Sequence, residues 1–387
     1  MNGGRSILWI VTTQWRGQAW SGGGDPYAPT PGLAGLAARG VNFSQATTPH
    51  PFGPFARAAM LTGTPSPENG VIDYFDPLPA SSRTIAHDLS EAGYRTAHFG
   101  KWHLAQRDRN APLVGDAHAR QIVAPDSRGG FEFWEGFESG FLINDPWLHG
   151  TRIPEPLQFR GYQSDVLADR AGAWIEEQTT PWFAVVSLEA PHPPYDAQVP
   201  VNVAKVGGGA LSLRENVRDV DRARAKRELR GYYRHIAATD RAIAGLLSGL
   251  GEGVAVVATS VHGDMHGSHG KFRKGWPYEE SVRVPFVVAG SPGGVLGDED
   301  RSPISLLDLP GMTRAWSEGK IWQCGRDRAS ISMPSVVELP DQGDRVWSGW
   351  RSAERKVVNL DDGSPWLEFD LVSDPLEQRN LVAQPHE

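Results

Sequence analysis

Residues 7–12 read Ile-Leu-Trp-Ile-Val-Thr, a run that is apolar up to its last position. A strand that is apolar on both faces is typical of the middle of a parallel sheet, because helices cover such a sheet on both sides. The polar residues Thr13 and Gln14 follow at once. We therefore predict that this stretch is a central strand whose carboxyl end opens into a polar loop.

The rest of the chain alternates short apolar runs with helical stretches. Further strands are expected at 41–43, 96–99, 182–188, 254–259 and 284–288, and helices at 30–39, 57–62, 84–92 and 215–250. This alternation predicts an α/β fold in which helices flank both faces of a mostly parallel central sheet. Short alternating runs after about residue 320 predict a small antiparallel sheet. We therefore divide the chain into a core of residues 1–319 and a C-terminal β subdomain of residues 320–387.

Composition narrows the range of partners. The 387 residues carry a formal charge of −8, which argues against a nucleic-acid partner because such proteins usually present a basic face. The single cysteine, Cys324, excludes an intramolecular disulfide and indicates a reducing compartment. The apolar run at 7–11 is too short for a signal peptide, and no run reaches the roughly 18 apolar residues of a membrane span. We expect a cytoplasmic protein without a membrane partner, and oligomer formation stays open.

Several motifs follow one another along nearly the whole chain. They read PTPGL at 29–33, LAARGVNF at 36–43, RAAMLTG at 57–63, GKWHL at 100–104, APHPPY at 190–195, HGDM at 262–265, YEESVRVP at 278–285 and DP, E and NL between 374 and 381. In this order they resemble the type I sulfatases of the alkaline-phosphatase superfamily. The resemblance implies the fold of that family, with its functional site in the loops after the strands.

The position of the family's nucleophile differs here. The resemblance implies a Cys or Ser, matured to formylglycine, four residues before the arginine that matches Arg57. That position is Gly53, and its neighbours at 52–56 supply no nucleophile either. Covalent catalysis needs a positioned nucleophilic atom. We therefore expect no sulfate-ester hydrolysis by the family's mechanism.

The positions of the family's metal ligands differ as well. The resemblance implies a divalent ion, usually calcium, held by Asp residues after the first strand and by an Asp-His or Asp-Asn pair after a later one. These positions read Thr13 and Gln14, then Val261 and His262; Gln14 and His262 match variants of the family's pattern, whereas Thr13 and Val261 replace its carboxylates. Hard cations need several oxygen ligands, mostly carboxylates. We therefore expect a protein without a metal or any other cofactor.

The residues that match the family's sulfate contacts are present. Arginine can hold an oxyanion with two hydrogen bonds, lysine adds a point charge, and histidine can donate a hydrogen bond or a proton. We predict that one anion-binding pocket is lined by Arg57, Lys101, His103, His192 and Lys274. The last four are also the candidate catalytic groups. The expected partner is a small molecule with a sulfate, phosphate or carboxylate group.

Three histidines in one loop suggest a second kind of site. His262, His266 and His269 form a His-x-x-x-His-x-x-His run, which is one pattern of a transition-metal site. Glycines lie between them, so we favour ordinary loop residues. We expect Asp264 to brace this loop rather than to take part in chemistry.

Three functions are consistent with these residues. The first is a repurposed, metal-independent enzyme, as found in specialised metabolism, in which His and Lys side chains perform acid–base chemistry on an anionic small molecule. The second is a pseudo-sulfatase that binds an anionic ligand or a partner without turnover. The third is a conventional sulfatase or phosphatase whose nucleophile was misidentified or replaced by engineering.

Overall fold

The computed structural model describes residues 4–200, 211–294 and 297–382, which form a large and a small β-sheet with helices around them. The strands of the large sheet are β1 (Ile7–Thr12), β2 (Gly40–Phe43), β3 (Arg95–Lys101), β4 (Phe133–Phe137), β5 (Trp147–Gly150), β6 (Leu157–Gln158), β7 (Trp182–Ser187), β8 (Ala255–Ser260), β9 (Phe286–Ala289) and β10 (Asp298–Asp300). The strands of the small sheet are β11 (Ala329–Met333), β12 (Trp347–Arg351), β13 (Arg355–Leu360) and β14 (Pro365–Asp370).

β1 lies in the middle of the large sheet, whose strand order is β10-β2-β9-β8-β1-β7-β3-β4-β5-β6. It runs parallel to both neighbours, and Ile10 pairs with Val186 of β7 and with Ala258 of β8. β3 is parallel to β7 and to β4, whereas β9 and β5 are antiparallel to their neighbours. The predicted α/β fold with a mostly parallel sheet is confirmed.

Helices cover both faces of the large sheet. The α-helices are α1 (Pro31–Ala38), α2 (Gly53–Thr62), α3 (Ile85–Glu91), α4 (Asp116–Ala119), α5 (Gln163–Glu176), α6 (Arg222–Ser248), α7 (Glu279–Val282) and α8 (Leu309–Ser317). Alternate side chains of β1 point to opposite faces of the sheet. Trp9 and Val11 pack with α2, α3 and α8, whereas Leu8 and Ile10 pack with α1, α5 and α6. The unbroken apolar run of β1 is thus buried on both sides.

The small sheet is antiparallel, in the order β11-β12-β13-β14. Its side chains Ile331, Trp347 and Val358 belong to the same core cluster as α2. The predicted C-terminal antiparallel sheet is confirmed, with β11 as an additional strand that the sequence did not indicate. The division between residues 319 and 320 stays a prediction.

Two helices begin elsewhere than expected. α2 begins at Gly53 rather than at Arg57, because Pro54 occupies its first turn, where the missing N–H of proline costs no hydrogen bond. α6 begins at Arg222 rather than at residue 215. Before it, Asn216 donates to the Glu280 carboxylate and Val217 forms a β-bridge with Ser268. These tertiary contacts hold that segment away from helical geometry.

The parallel strands end at one edge of the sheet. Thr13 follows β1, Lys101 ends β3, Glu189 lies just after β7 and Val261 just after β8. Ligands of such sheets usually bind at this edge.

In the described ranges, no helix combines the length and the apolar character needed to cross a membrane.

Candidate functional site

A cavity of about 480 Å³ opens at the carboxyl edge of the parallel strands. Four of the five predicted anion-binding residues line it, namely Lys101, His103, His192 and Lys274. Three positions that the resemblance singles out line it too: Gly53, Thr13 and His262. The remaining walls are mostly apolar or aromatic and consist chiefly of Phe52, Tyr74, Leu113, Val114, Phe141, Pro193, Pro194, Leu339 and Pro340.

Lys101 is buried in a pair with Glu189. The lysine is 1% exposed, and its Nζ lies 2.8 Å from Glu189 Oε1. Burial lowers the pKa of Lys101 to about 8, although Glu189 opposes this shift. The Nζ also lies 4.5 Å from the centre of the Phe141 ring, which stacks in turn on His192 at 4.5 Å. Lys101 therefore has one fixed place at the cavity wall.

Lys274 enters the cavity from the loop after β8. Its Nζ donates to Gln14 Oε1 at 2.7 Å and lies 3.1 Å from His192 Nε2. Burial lowers the pKa of Lys274 to about 7, and the charge of Lys101 contributes. Gln14 donates in turn to Asp264, which also accepts a hydrogen bond from Tyr195. A network of buried polar groups thus positions Lys274.

Hydrogen-bond partners fix the tautomers of the three cavity histidines. Arg107 Nη1 lies 2.8 Å from His103 Nε2, and a guanidinium can only donate, so the proton of neutral His103 is on Nδ1. His192 Nδ1 faces the Pro193 carbonyl at 2.7 Å, and His262 Nδ1 faces that of Gly263 at 2.9 Å, so both carry the proton on Nδ1. Burial holds the pKa of each of the three well below 6.5.

The neutral histidines leave one donor and one acceptor without a protein partner. His103 Nδ1 and His262 Nε2 are both buried without a hydrogen bond. With the tautomers above, His103 offers an N–H and His262 offers a lone pair. The cavity wall can therefore both donate to and accept from a bound molecule.

Arg57 lies behind the cavity rather than at its wall. It is 2% exposed and donates to Thr13 Oγ1, Ser187 Oγ and the Lys101 carbonyl. A direct ligand contact of Arg57 stays a prediction; in this structure its guanidinium bridges the ends of β1, β3 and β7. Its positive charge meets neutral oxygens alone among the described residues, so it still adds positive potential.

Three of the four positions that the resemblance assigns to metal ligands are engaged elsewhere. Thr13 Oγ1 donates to the Leu188 carbonyl at 2.9 Å, Gln14 Oε1 accepts from Lys274, and Val261 is fully buried in the apolar core. His262 alone presents a free ligand atom to the cavity. A hard cation prefers several carboxylate oxygens, which this set does not provide.

The histidine run does not converge on one point. His262 faces the cavity, whereas His266 packs between Tyr195 and Tyr232. His269 stacks on Tyr278 and comes close to the carboxylates of two glutamates. Of the described residues, three with metal-ligand chemistry approach one another there, namely His269, Glu280 and Glu377.

Hydrogen bonds explain that second cluster without a metal. Asn216 Nδ2 lies 3.2 Å from His269 Nε2 and donates to Glu280 Oε1 at 2.9 Å. Glu377 accepts from the ammonium of Lys356 and from a backbone N–H. The cluster is a buried polar network between the core and the C-terminal sheet. Asp264 accepts the N–H of His266, which agrees with the expected bracing role.

Several residues that line the cavity or hold its lining side chains were not singled out from the sequence. Glu189 lies one position before the APHPPY motif, and Phe141 and Arg107 lie in connecting segments without a motif. A buried carboxylate beside a lysine motif is a signal that could have indicated Glu189. Phe141, with φ of 54°, has no comparable signal, because its position depends on the fold of the loop after β4.

Comparisons with known proteins agree with this geometry. A family model described as Sulfatase matches residues 5–310. An ulvan-active sulfatase of Formosa agariphila is 31% identical over 411 residues, covering 98% of this chain and 77% of that protein. An arylsulfatase of Clostridium perfringens is 24% identical, covering 97% of this chain and 90% of that protein. In fold, the YidJ protein of Bacteroides fragilis is similar, with a TM-score of 0.82 and 22% identity over 98% of this chain and 91% of that one. The chain therefore belongs to the sulfatase family.

Proposed function

We propose that this protein is a metal-independent enzyme that binds the anionic group of a small molecule and acts on it with lysine and histidine side chains. The observation that carries the proposal is the convergence of Lys101, Lys274 and three neutral histidines on one cavity. The chemistry of the proposed enzyme differs from the covalent mechanism that the resemblance implies.

The charges around the cavity support an anionic ligand. Among the described residues, neither Arg57 nor Lys274 forms an ion pair with a carboxylate, since both contact neutral atoms. Lys101 is paired with Glu189. Arg57 and Lys274 are thus buried cations whose hydrogen bonds go to neutral atoms, and burial strengthens their attraction for an anion, although Asp196 also lines the cavity and Asp264 lies near Lys274.

The protonation states support acid–base chemistry. Lys274 has a pKa of about 7 because of its burial, so both of its protonation states are accessible near neutral pH. His103 can stabilise developing negative charge through its Nδ1–H, and His262 can accept a proton or a hydrogen bond through Nε2. A hydrogen-bond donor, His103, and a proton acceptor, His262, thus face the same cavity.

Two features speak against the covalent, metal-assisted route. Gly53 lies at the head of α2 and lines the cavity without any side-chain atom that could attack a substrate. The positions 13, 14, 261 and 262 supply no carboxylate for a calcium ion. We therefore interpret these positions as degenerate with respect to the family.

The relatives support sulfate as one candidate anion. The Formosa agariphila protein is named as ulvan-active and the Clostridium perfringens protein as an arylsulfatase. A sulfate, phosphate or carboxylate group would meet the same cationic wall here. The apolar residues of the cavity wall, among them Phe141 and Leu339, could contact an apolar organic group that carries the anion.

The second candidate is a pseudo-sulfatase that binds such a ligand without converting it. The observation in its favour is that the Lys274 ammonium already has two partners in the protein, since it donates to Gln14 and contacts His192. Lys274 is the lysine whose pKa lies nearest to neutral pH. Binding without a product would then be the whole function.

One experiment separates these candidates from a conventional sulfatase. The purified protein is incubated with 4-nitrophenyl sulfate and 4-nitrophenyl phosphate, with calcium chloride or with EDTA, and anionic metabolites are then screened by thermal shift. We expect no calcium-dependent release of nitrophenol, and stabilisation by anions that EDTA does not remove. Calcium-dependent turnover of either ester would overturn the proposal. A stabilising metabolite that gives no product after long incubation would favour the pseudo-sulfatase.

A further inference from the structure

Gly53 leaves a defined space at the wall of the cavity. A Cβ placed on this residue would lie 2.9 Å from His103 Nδ1 and 3.3 Å from His103 Cε1. No other side chain comes within 4 Å of that point among the described residues that do not adjoin Gly53 along the chain. A Cβ at these distances would be too close to the buried His103 ring, so the glycine allows that ring to stand against the head of α2, at a point that opens into the cavity.

Backbone geometry does not explain the glycine. The φ angle of Gly53 lies outside the left-handed region, and the residue is the first of the ten-residue helix α2. At a helical position alanine is usually more favourable than glycine by about 0.5–1 kcal/mol. The glycine is thus explained better by the space beside it than by its own conformation.

His103 directs a donor into this space. The ring is 3% exposed, and its Nδ1 has no hydrogen-bond partner. Because Nε2 accepts from Arg107, the proton lies on Nδ1 and faces the place of the absent Cβ. An unsatisfied buried donor costs about 1–3 kcal/mol, which a bound oxygen would offset.

The head of α2 favours negative charge at the same point. Phe52 precedes the helix and provides no side-chain cap, and Pro54 has no N–H. The N–H groups of Gly53 and Phe55 therefore belong to the uncapped first turn, whose dipole attracts anions. The helix end and the histidine donor point to the same kind of ligand atom.

We propose that an oxygen of the bound anion lies against the Cα of Gly53, where a side chain would exclude it, and accepts a hydrogen bond from His103 Nδ1–H at the head of α2. This inference rests on the proposed anion-binding function and extends it. Gly53 is then a required part of the ligand site. The shared chemistry of sulfate, phosphate and carboxylate, an oxygen that carries negative charge, is what this space would recognise.

Substitution of Gly53 by alanine tests the proposal directly. Gly53→Ala would place a methyl group where the oxygen binds, so we expect inorganic sulfate to bind about tenfold more weakly or worse by isothermal titration calorimetry. The urea midpoint of unfolding should fall slightly, because a Cβ 2.9 Å from Nδ1 forces the buried His103 ring to shift. The matched control is Gly172→Ala in α5, where a Cβ would meet only Leu246 Cδ1 at 3.8 Å. This control should bind sulfate like the original protein.

A spectroscopic measurement reports on the contact between the anion and His103. In ¹⁵N-labelled protein the Nδ1 and attached proton signals of His103 should shift when sulfate is added, and they should not respond in Gly53→Ala. The losses of affinity for Gly53→Ala and His103→Leu should also be strongly non-additive in the double variant, because both remove one contact.

The outcomes are distinguishable. If the original protein binds neither sulfate nor any screened anion, the proposed function fails and this inference fails with it. If the original protein binds sulfate and Gly53→Ala binds it equally well, only the inference about Gly53 is overturned. Additive losses of sulfate affinity in the double variant would overturn it as well, and so would a His103 Nδ1 signal that does not shift when sulfate binds.

Discussion

At the scale of single residues, the cavity depends on charges that are buried with few compensating partners. Lys101 and Glu189 are almost completely inaccessible and lie in contact, yet Glu189 Oε2 has no hydrogen bond of its own. Burial of such a pair contributes little net stability, because desolvation opposes the attraction. The pair is better explained by a role in positioning the ammonium of Lys101 than by a contribution to folding.

Removal of Lys101 alone should destabilise the fold. Lys101→Met leaves the Glu189 carboxylate buried and unpaired, which costs about 3–5 kcal/mol of unfolding free energy in urea titrations. The double variant Lys101→Met/Glu189→Gln should recover much of that loss. Sulfate affinity should stay at least about tenfold reduced in both, since a charge-assisted hydrogen bond is gone. Full binding by the double variant would show that Lys101 does not contact the anion.

The pKa of Lys101 predicts how anion binding depends on pH. Glu189 stabilises the charged lysine, whereas burial and the charges of Arg57 and Arg107 oppose it, and the pKa is lowered to about 8. The ammonium is present below this value and is lost as the pH rises through it. Sulfate affinity measured between pH 6 and 10 should therefore begin to fall near pH 7, where Lys274 loses its proton, and fall further above about pH 8, by up to about tenfold per pH unit for each proton. Lys274 and the neutral rings of His103 and His192 face the same space and should not reverse this direction. An affinity that is constant to pH 10 would contradict the assignment.

At the scale of elements, the C-terminal sheet is tied to the core by buried ion pairs. Arg351 of β12 makes two hydrogen bonds to Glu279 of α7, at 2.9 and 2.8 Å. Lys356 of β13 contacts Glu279 at 2.9 Å and Glu377 at 2.6 Å. The same sheet also shapes the cavity, because the backbone N–H of Gly343 donates to the Lys274 carbonyl. The small sheet is thus part of the site and not merely an appendage.

Arg351→Met should test this attachment. Among the described residues, the substitution leaves Glu279 buried with Lys356 as its ion-pair partner, so we expect a loss of about 1.5–3 kcal/mol in unfolding free energy, as for hydrogen bonds to a charged group. The control is Arg355→Met in β13, which breaks an exposed pair with Glu368 and should cost less than about 1 kcal/mol in the same urea titration. Equal effects of the two substitutions would show that the buried pair does not anchor the sheet.

At the scale of the whole molecule, stability should depend on histidines that the fold keeps neutral. Burial holds the pKa of His103, His192, His262 and His266 well below 6.5. The unfolded chain binds protons at these residues below about pH 6.5, and the folded protein does not. The stability that they contribute is present above this pH and is lost as the pH falls.

The urea midpoint of unfolding should therefore decrease between pH 6.5 and pH 5. Each neutral histidine contributes up to about 1.4 kcal/mol per pH unit in that window. Burial raises the pKa of Glu138 and of Glu377 to about 7 and that of Asp240 to about 6, so these carboxyls oppose the trend. The histidines outnumber them, because burial also lowers the pKa of His50, His98, His149 and His235. His266→Phe, in a ring site between Tyr195 and Tyr232, should reduce the slope. A midpoint that rises on acidification would contradict this balance.

The amino-acid sequence by itself determined the architecture. The unbroken apolar run of β1 and the alternation of strands and helices predicted the parallel sheet, because burial on both faces demands such runs. The ordered motifs also indicated that Lys101, His103, His192 and Lys274 belong together, since the ends of parallel strands share one edge. The location in the cytoplasm stays a prediction.

Only the tertiary structure decided how these residues are used. Arg57 lies behind the cavity because three strand ends supply oxygens for its guanidinium, and Glu189 faces Lys101 across neighbouring strands. The tautomer of His103 follows from Arg107, and the space at Gly53 exists because that ring stands opposite α2. Contacts of this kind join residues far apart in the chain. Local patterns report periodicity and spacing, whereas the direction of a buried side chain depends on whatever the fold packs against it.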